Sequence, residues 1–483
     1  MRLSELMGEQ ATTAGEVEIR GLTADSRKVC PGWLFAALPG TRLDGTAFID
    51  EAVHRGAAAV LMPADSHCAL EGAVRLTDAN PRRRFALMAA RFYARQPRTI
   101  AAITGTNGKT STARFLHRIW QVNGVASGSL GTLGVDSGPL QRPGGLTTPD
   151  PADLHALLAD LADAEVDHLA MEASSHGLAQ YRLDGVRVAA AGFTNLGRDH
   201  LDYHGSMEAY FAAKARLFED LLPSEGQAVV HVDGPAGRRL AARLTAQGRA
   251  PLRVGASDIA DLRLAEAIAE PTGQRLRLTH RGRDYEVLLP LLGRFQADNA
   301  AVAAGLAIGL GLASDAAFSA LDQLHGVPGR MERLGRTRSG GSVFVDYAHT
   351  PDALKTVLEA ARPHCSGRLL LVFGCGGDRD PGKRALMGRV ATELADRVII
   401  TDDNPRSEDA AAIRSQIAAA APGARIVADR AEAIATALDS LGEADLLLVA
   451  GKGHETGQIV GDRVLPFSDI ETIRAHLDQE ALA

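Results

Sequence analysis

The stretch Ile100-Ala101-Ala102-Ile103-Thr104-Gly105-Thr106-Asn107-Gly108-Lys109-Thr110-Ser111 decides the fold class of this chain. Apolar residues suited to a buried strand, Ile100 to Thr104, run into a glycine-rich turn, and the residues from Ser111 to Val122 then suit a helix. Backbone N–H groups in such a turn point inward, the helix N-terminus adds partial positive charge, Lys109 can reach β- and γ-phosphates, and the Thr110 hydroxyl can hold Mg²⁺. Gly105, Thr106, Asn107, Gly108, Lys109, Thr110 and Ser111 are therefore candidate ATP-binding residues. The common phosphate-loop pattern has a glycine five positions before Gly108, where this chain has Ile103, so the loop is a shorter variant. The motif does not say which reaction follows.

Outward from this loop, apolar strand-like runs alternate with Ala- and Leu-rich helical stretches, the pattern of α/β domains with largely parallel sheets. The runs are Ile100 to Thr104, His168 to Met171, Ala189 to Phe193, Leu369 to Phe373, Val398 to Thr401 and Leu446 to Ala450. Several end in Gly, Asp, Asn or His clusters, where open α/β sheets bind ligands. Boundary composition around Arg95 to Arg98 and from Gly335 to Gly341 divides the chain into three expected domains, 1–97, 98–335 and 336–483.

The length of 483 residues fits about three domains. With 46% hydrophobic and 23% charged residues the chain is globular, and its net charge of −7, with no sustained basic run, speaks against a nucleic-acid partner. Cys30, Cys68, Cys365 and Cys375 are scattered, suggesting neither a zinc site nor a disulfide framework, and a reducing cytoplasm fits. Acidic residues occupy the N-terminus where a signal peptide needs an apolar segment, and no run of about 18 apolar residues follows, so neither export nor a membrane span is expected.

Two further clusters carry metal-binding chemistry. Glu172 closes one strand in Met171-Glu172-Ala173-Ser174-Ser175-His176-Gly177, and the next strand runs into Thr194-Asn195-Leu196-Gly197-Arg198-Asp199-His200-Leu201-Asp202-Tyr203-His204-Gly205. Lys214 lies in Tyr210 to Phe218, whose apolar spacing at Phe211, Ala215 and Phe218 puts the lysine on a polar face.

Taken together with Asp25-Ser26-Arg27, Thr147-Thr148-Pro149, Asp346 to His349, Gly374 to Asp380, Asp403 to Arg406 and Gly451 to Glu455, these motifs resemble the Mur ligase family, which includes folylpolyglutamate synthase. The resemblance spans essentially the whole chain. It implies a central ATP-binding domain, a C-terminal Rossmann-like domain that binds an amino acid, and a smaller N-terminal α/β domain that binds a UDP-linked substrate. The activity it implies is ATP- and Mg²⁺-dependent ligation of meso-diaminopimelate to UDP-N-acetylmuramoyl-L-Ala-D-Glu through an acyl phosphate, by a cytoplasmic protein expected to be monomeric.

Carried over residue by residue, the resemblance puts Thr110, Glu172, His200 and a carbamylated Lys214 on magnesium. A carbamate resolves the problem of an ammonium beside Mg²⁺. Asn299 is implied near the adenine, Arg330 near the transferred phosphate and Asp346 near the nucleotide. Ser26 is implied on the uridine nucleotide, and Thr147, Thr148, Ser174, Gln180 and Arg182 on the muramoyl dipeptide. Lys109, Lys214, His200 and Arg330 are the expected catalytic set.

Amino-acid choice is expected in Asp403, Asn404, Pro405 and Arg406, with Arg379, Gly451 and Glu455. Arg406 can grip a carboxylate with two parallel hydrogen bonds while Asp403 and Glu455 hold an ammonium, which matches the distal centre of diaminopimelate; lysine would leave that arginine unpaired. Lysine-adding relatives typically lack this arginine. The rival readings are a lysine- or folate-specific sister ligase, a phosphate-loop kinase or ATPase, and a non-catalytic nucleotide-binding module.

Overall fold

The computed structural model describes residues 1–8, 16–40, 44–66, 70–270 and 272–482. They form two compact units: one comprises 1–262 with 302–317, the other 263–301 with the chain from 318 onward.

The strand Thr99–Thr104 lies inside a sheet of the first unit, parallel to Val188–Phe193 on one side and His168–Glu172 on the other. Ile100, Ala101, Ala102 and Ile103 have no exposed surface. Burial on both faces explains why the run is apolar throughout rather than alternating. Gln227–His231 and Leu252–Gly255 extend the parallel sheet past Val188–Phe193, and Ser127–Gly131 extends it past His168–Glu172. Two short antiparallel strands, Gly134–Asp136 and Gln141–Arg142, finish that edge.

Register then places the site. Ile103 pairs with Glu172, and Phe193 pairs with Thr104, so Glu172 and the segment from Thr194 reach the level of the glycine-rich turn. The helix Lys109–Val122 follows with Gly108 at φ +84° as its cap and no side chain satisfying its first N–H groups. Those donors remain for an anion. Phe115, Leu116, Ile119 and Trp120 bury the opposite end of the helix.

An N-terminal part of the first unit has its own parallel sheet, in the order Gly21–Thr23, Trp33–Ala36, Ala59–Pro63, Val74–Asp78. In the second unit a six-stranded sheet runs Glu332–Arg336, Ser342–Asp346, Leu446–Ala450, Leu369–Phe373, Arg397–Ile400, Arg425–Ile426. Only its first pair is antiparallel. The glycine-rich segment 335–341 is the turn of that antiparallel pair and so lies within the sheet.

The α/β class and the expected strands are observed to within two residues at their ends. Lys214 differs from its periodicity. The helix Met207–Arg216, capped by the Ser206 hydroxyl, buries Lys214 to 1% exposure, because its polar direction points beneath the glycine-rich turn instead of into water. Cys30, Cys365 and Cys375 are free thiols, and Cys68 lies outside the described residues. Among the described residues no helix is long and apolar enough to cross a membrane.

Candidate functional site

The glycine-rich turn is latched to the end of the neighbouring strand. The Thr106 N–H donates to the Asn195 carbonyl at 3.0 Å, and the Asn107 N–H donates to Asn195 Oδ1 at 3.0 Å. The Thr194 hydroxyl donates to the Asn107 carbonyl at 2.6 Å, and the Gly197 N–H donates to Thr106 Oγ1 at 2.9 Å. This packing needs a glycine at 105: a Cβ there would sit 1.9 Å from Thr194 Oγ1.

Two lysine side chains reach the turn, Lys109 from the turn itself and Lys214 from a distant helix. Lys109 Nζ donates to the carbonyls of Gly105 and Thr106, both at 2.9 Å, and Lys214 Nζ donates to Gly105 O at 2.8 Å. Burial holds the Lys214 amine well below its usual range; the like charge of Lys109 adds to this and Asp199 opposes it. Lys214 also lies over the Tyr210 ring, 4.4 Å from its centroid.

His200, at φ +52°, stands at the start of the short helix Leu201–His204. Its ring meets His176 edge-on with centroids 4.8 Å apart, and His176 in turn lies 4.1 Å from Tyr203 and 5.6 Å from His204. Burial lowers all three histidines, His204 to about 4. Neutral imidazoles are the metal-binding form. Lys109 and Lys214 both contribute to the depression of His200, so these three residues form one electrostatic cluster.

Glu172 is 2% exposed, and its carboxylate accepts from the Thr132 N–H at 2.8 Å and the Thr132 hydroxyl at 3.3 Å. Gly131 leaves room for it, since a Cβ there would lie 2.0 Å from Glu172 Oε1. Thr110, 7% exposed, sits in the first turn of the loop helix. The Glu172 carboxylate and the Thr110 hydroxyl offer hard oxygen donors of the kind Mg²⁺ takes, and a neutral His200 imidazole is a borderline nitrogen donor.

The residues expected on the muramoyl dipeptide are connected. Thr132 Oγ1 lies 3.0 Å from Thr147 Oγ1, and the Thr148 hydroxyl donates to the Glu172 carbonyl at 3.2 Å. Thr148 Oγ1 accepts from the Ser174 N–H at 3.0 Å and from its hydroxyl at 3.1 Å. Arg182 donates to the Thr148 carbonyl at 2.7 Å and to Gln180 Oε1 at 2.7 Å, while Gln180 Nε2 donates to the Tyr203 hydroxyl at 3.0 Å. Ser26 is not part of this network; it is 7% exposed in the N-terminal sheet region and donates to Glu51 Oε2 at 2.8 Å.

In the second unit, Asn299, Arg330 and Asp346 are joined through backbone and one glutamine. Asn299 Nδ2 lies 3.4 Å from Gln296 Oε1, and Gln296 Nε2 donates to the Arg330 carbonyl at 3.1 Å. The Asp346 carboxylate accepts from the Met331 N–H at 2.8 Å and the Ala348 N–H at 2.7 Å. Burial raises its acid to about 6, against the opposing Arg330 charge and these two N–H groups. The Arg330 guanidinium stacks over Tyr347 at 4.7 Å, and its Nε is buried without a partner. An orphaned donor beside a fixed positive charge suits a phosphate oxygen.

The segment 401–406 leaves its strand as a turn whose backbone is pinned twice. The Arg406 N–H donates to the Ile459 carbonyl at 3.0 Å, and the Arg406 carbonyl accepts from the Gly461 N–H at 2.8 Å. Arg406 adopts φ +51°, and its Nη1 donates to the Gly377 carbonyl at 2.8 Å. Asn404 Nδ2 donates to Glu455 Oε2 at 2.9 Å. Asp403, 8% exposed, lies against Gly451, where a Cβ would meet Asp403 Oδ2 at 2.6 Å. Pro405 completes the turn, its carbonyl accepting from the Glu408 N–H at 3.1 Å. Arg379 is exposed and has one weak contact, to the Asp378 carbonyl at 3.4 Å.

Several supporting residues were not singled out from sequence. Thr132 holds Glu172, Gln296 joins Asn299 to Arg330, and the fully buried Lys452 binds both Asn404 and Glu455. Thr194, Asn195, His176 and His204 were visible as parts of dense polar runs, and their partners give them distinct places. Lys452 sits inside the quoted motif Gly451 to Glu455, which is the one signal that could have found it.

Three family models match: the Mur ligase middle domain over residues 103–307, the Mur ligase glutamate ligase domain over 329–453, and the Mur ligase family catalytic domain over 18–93. The chain is 52% identical to a UDP-N-acetylmuramoyl-L-alanyl-D-glutamate–2,6-diaminopimelate ligase from Bradyrhizobium diazoefficiens, covering 99% of each. It is 51% identical to the protein of that name from Agrobacterium fabrum, over 96% of this chain and 94% of the other. A solved structure of such a ligase aligns with a TM-score of 0.74 at 32% identity, covering 100% of this chain and 99% of that one. A MurF ligase from Thermotoga maritima in complex with ADP shares the fold, with a TM-score of 0.63 at 20% identity over 95% of this chain and 97% of the other.

Proposed function

The chain belongs to the Mur ligase family, and from that premise we propose that it is an ATP-dependent amide ligase joining meso-2,6-diaminopimelate to UDP-N-acetylmuramoyl-L-alanyl-D-glutamate in peptidoglycan synthesis. The observation that carries the choice of amino acid is the pinned turn at Arg406: its guanidinium donates to the Gly377 carbonyl, and Asn404 of the same turn donates to the Glu455 carboxylate. This set complements a centre bearing both a carboxylate and an ammonium.

In the reaction, a carboxylate oxygen of the D-Glu attacks the γ-phosphorus of ATP, ADP leaves, and an acyl phosphate forms. The amine of diaminopimelate then attacks the acyl carbon, and collapse of the tetrahedral adduct expels phosphate as the amide bond forms and the amine releases its proton. Gly105 to Ser111 would cradle the phosphates with backbone N–H groups, and Lys109 would exchange its loop carbonyls for phosphate oxygens. Arg330 would neutralise the transferring phosphoryl group through its orphaned donor. Asn299 would bind the adenine, and Asp346 the nucleotide. Thr147, Thr148, Ser174, Gln180 and Arg182 would hold the muramoyl dipeptide, and Ser26 the uridine nucleotide.

Thr110, Glu172, His200 and Lys214 would hold Mg²⁺, which when bound supplies positive charge to the phosphates. Lys214 fits this role as a carbamate: its uncharged amine would add to CO₂ and lose a proton, giving an anionic oxygen ligand. The burial that depresses its ammonium supports this. Arg379, Pro405 and Gly451 would complete the diaminopimelate pocket. The division of labour proposed is 1–97 for the UDP-substrate, 98–335 for ATP and 336–483 for the amino acid, in a cytoplasmic monomer without nucleic-acid partners.

The test incubates the protein with ATP, Mg²⁺ and UDP-N-acetylmuramoyl-L-Ala-D-Glu and offers meso-diaminopimelate and L-lysine in competition, with products read by mass. A diaminopimelate tripeptide is expected. A lysine product would refute the assignment of Asp403 to Arg406, and ADP without either product would refute the ligase.

A further inference from the structure

We propose that Lys452 is a positioning residue for the amino-acid pocket, an inference that rests on the ligase function proposed above. Its side chain has no exposed surface. A lysine is almost never fully buried unless its charge is matched. Here Nζ donates to Asn404 Oδ1 at 3.0 Å and to Glu455 Oε2 at 3.2 Å, and Asn404 Nδ2 donates to the same Glu455 oxygen at 2.9 Å. The three side chains close a triangle.

Asn404 Oδ1 also accepts the Ile459 N–H at 2.9 Å. The carboxamide therefore has one orientation, because turning it over would set its NH₂ against two donors and its oxygen against a carboxylate. Glu455 Oε2 is filled by two donors, which leaves its other oxygen for an incoming ammonium. Ile459 also accepts the Arg406 N–H, so the triangle reaches the residue that grips the carboxylate. Lys452 thus fixes both halves of the recognition, the Glu455 oxygen for the ammonium and the Arg406 backbone for the carboxylate, without touching the substrate.

A lysine that merely filled the core would weaken every step alike. Steady-state kinetics of the full-length protein separate the two. Lys452→Met is expected to raise the KM for diaminopimelate by about 10- to 100-fold, the value of lost hydrogen bonds to a charged group, while the KM for ATP stays within about twofold. Lys452→Gln keeps a donor for Asn404 without the charge, is expected to fall between, and serves if the methionine variant does not fold. An unchanged KM for diaminopimelate, or an equal rise for both substrates, would overturn the role of Lys452. Failure of the unaltered protein to form any diaminopimelate product would instead overturn the ligase function, and this role with it.

Discussion

Lys109 and Lys214 share one acceptor: the side-chain nitrogens of both donate to the Gly105 carbonyl oxygen, at 2.9 and 2.8 Å. A second positive charge beside that oxygen would be costly where water is excluded, so the buried partner, Lys214, is the one that gives up its proton.

The folded-state pKa of Lys214 lies well below 10.5. As pH falls below that value, the unfolded lysine takes up a proton that the folded one refuses, so stability declines over that interval. Lys214→Met should abolish this loss. In CO₂-free buffer the variant is expected to melt higher than the unaltered protein at pH 7, with the gap closing toward pH 10, and to lose turnover by at least about 100-fold, the scale of removing one charge-stabilising group from an active site. A lower melting temperature at pH 7 would show that the buried amine is not a liability.

Asp346 carries the opposite linkage. Its acid is raised from 3.8 to about 6 by burial, so the folded state holds a proton that the unfolded state releases between those values. Its contribution is therefore present below pH 3.8 and lost as pH rises to about 6, a change of about 3 kcal/mol. Denaturant titrations at pH 4 and pH 6.5 should show this slope in the unaltered protein and a smaller one in Asp346→Asn. Identical slopes would remove Asp346 from the account.

Gly105→Ala should disrupt the latch, since its Cβ would lie 1.9 Å from Thr194 Oγ1. Overpacking of this kind costs about 1 to 3 kcal/mol. ATP affinity, followed by nucleotide-induced thermal shift, is expected to disappear. Adding Thr194→Ala should restore part of the stability, and full additivity of the two losses would contradict the contact.

Arg406→Lys keeps the charge but loses the forked geometry. Its kcat/KM for diaminopimelate is expected to fall by about 10- to 100-fold, the cost of an imperfect bidentate carboxylate contact, with the KM for ATP unchanged. Equal loss in both would mean that Arg406 only supports the turn between Gly377 and Ile459.

The sequence by itself determined the phosphate loop and the strand and helix alternation around it. Both are local consequences of residue type: an apolar run becomes a two-faced buried strand, and glycines followed by Lys109 and Thr110 make an anion-binding turn wherever they stand between strand and helix. It also marked the Asp403 to Arg406 run as a turn at a strand end. Tertiary structure alone decided the state of two lysines. Helical spacing gives Lys214 a polar face, yet that face meets Gly105, 109 residues away in sequence, and becomes interior. Lys452 is an ordinary charged residue in the chain until Asn404, 48 residues earlier, packs against it. Burial and pairing are properties of what folds over a side chain, and helical or strand periodicity reports only the side from which that cover comes.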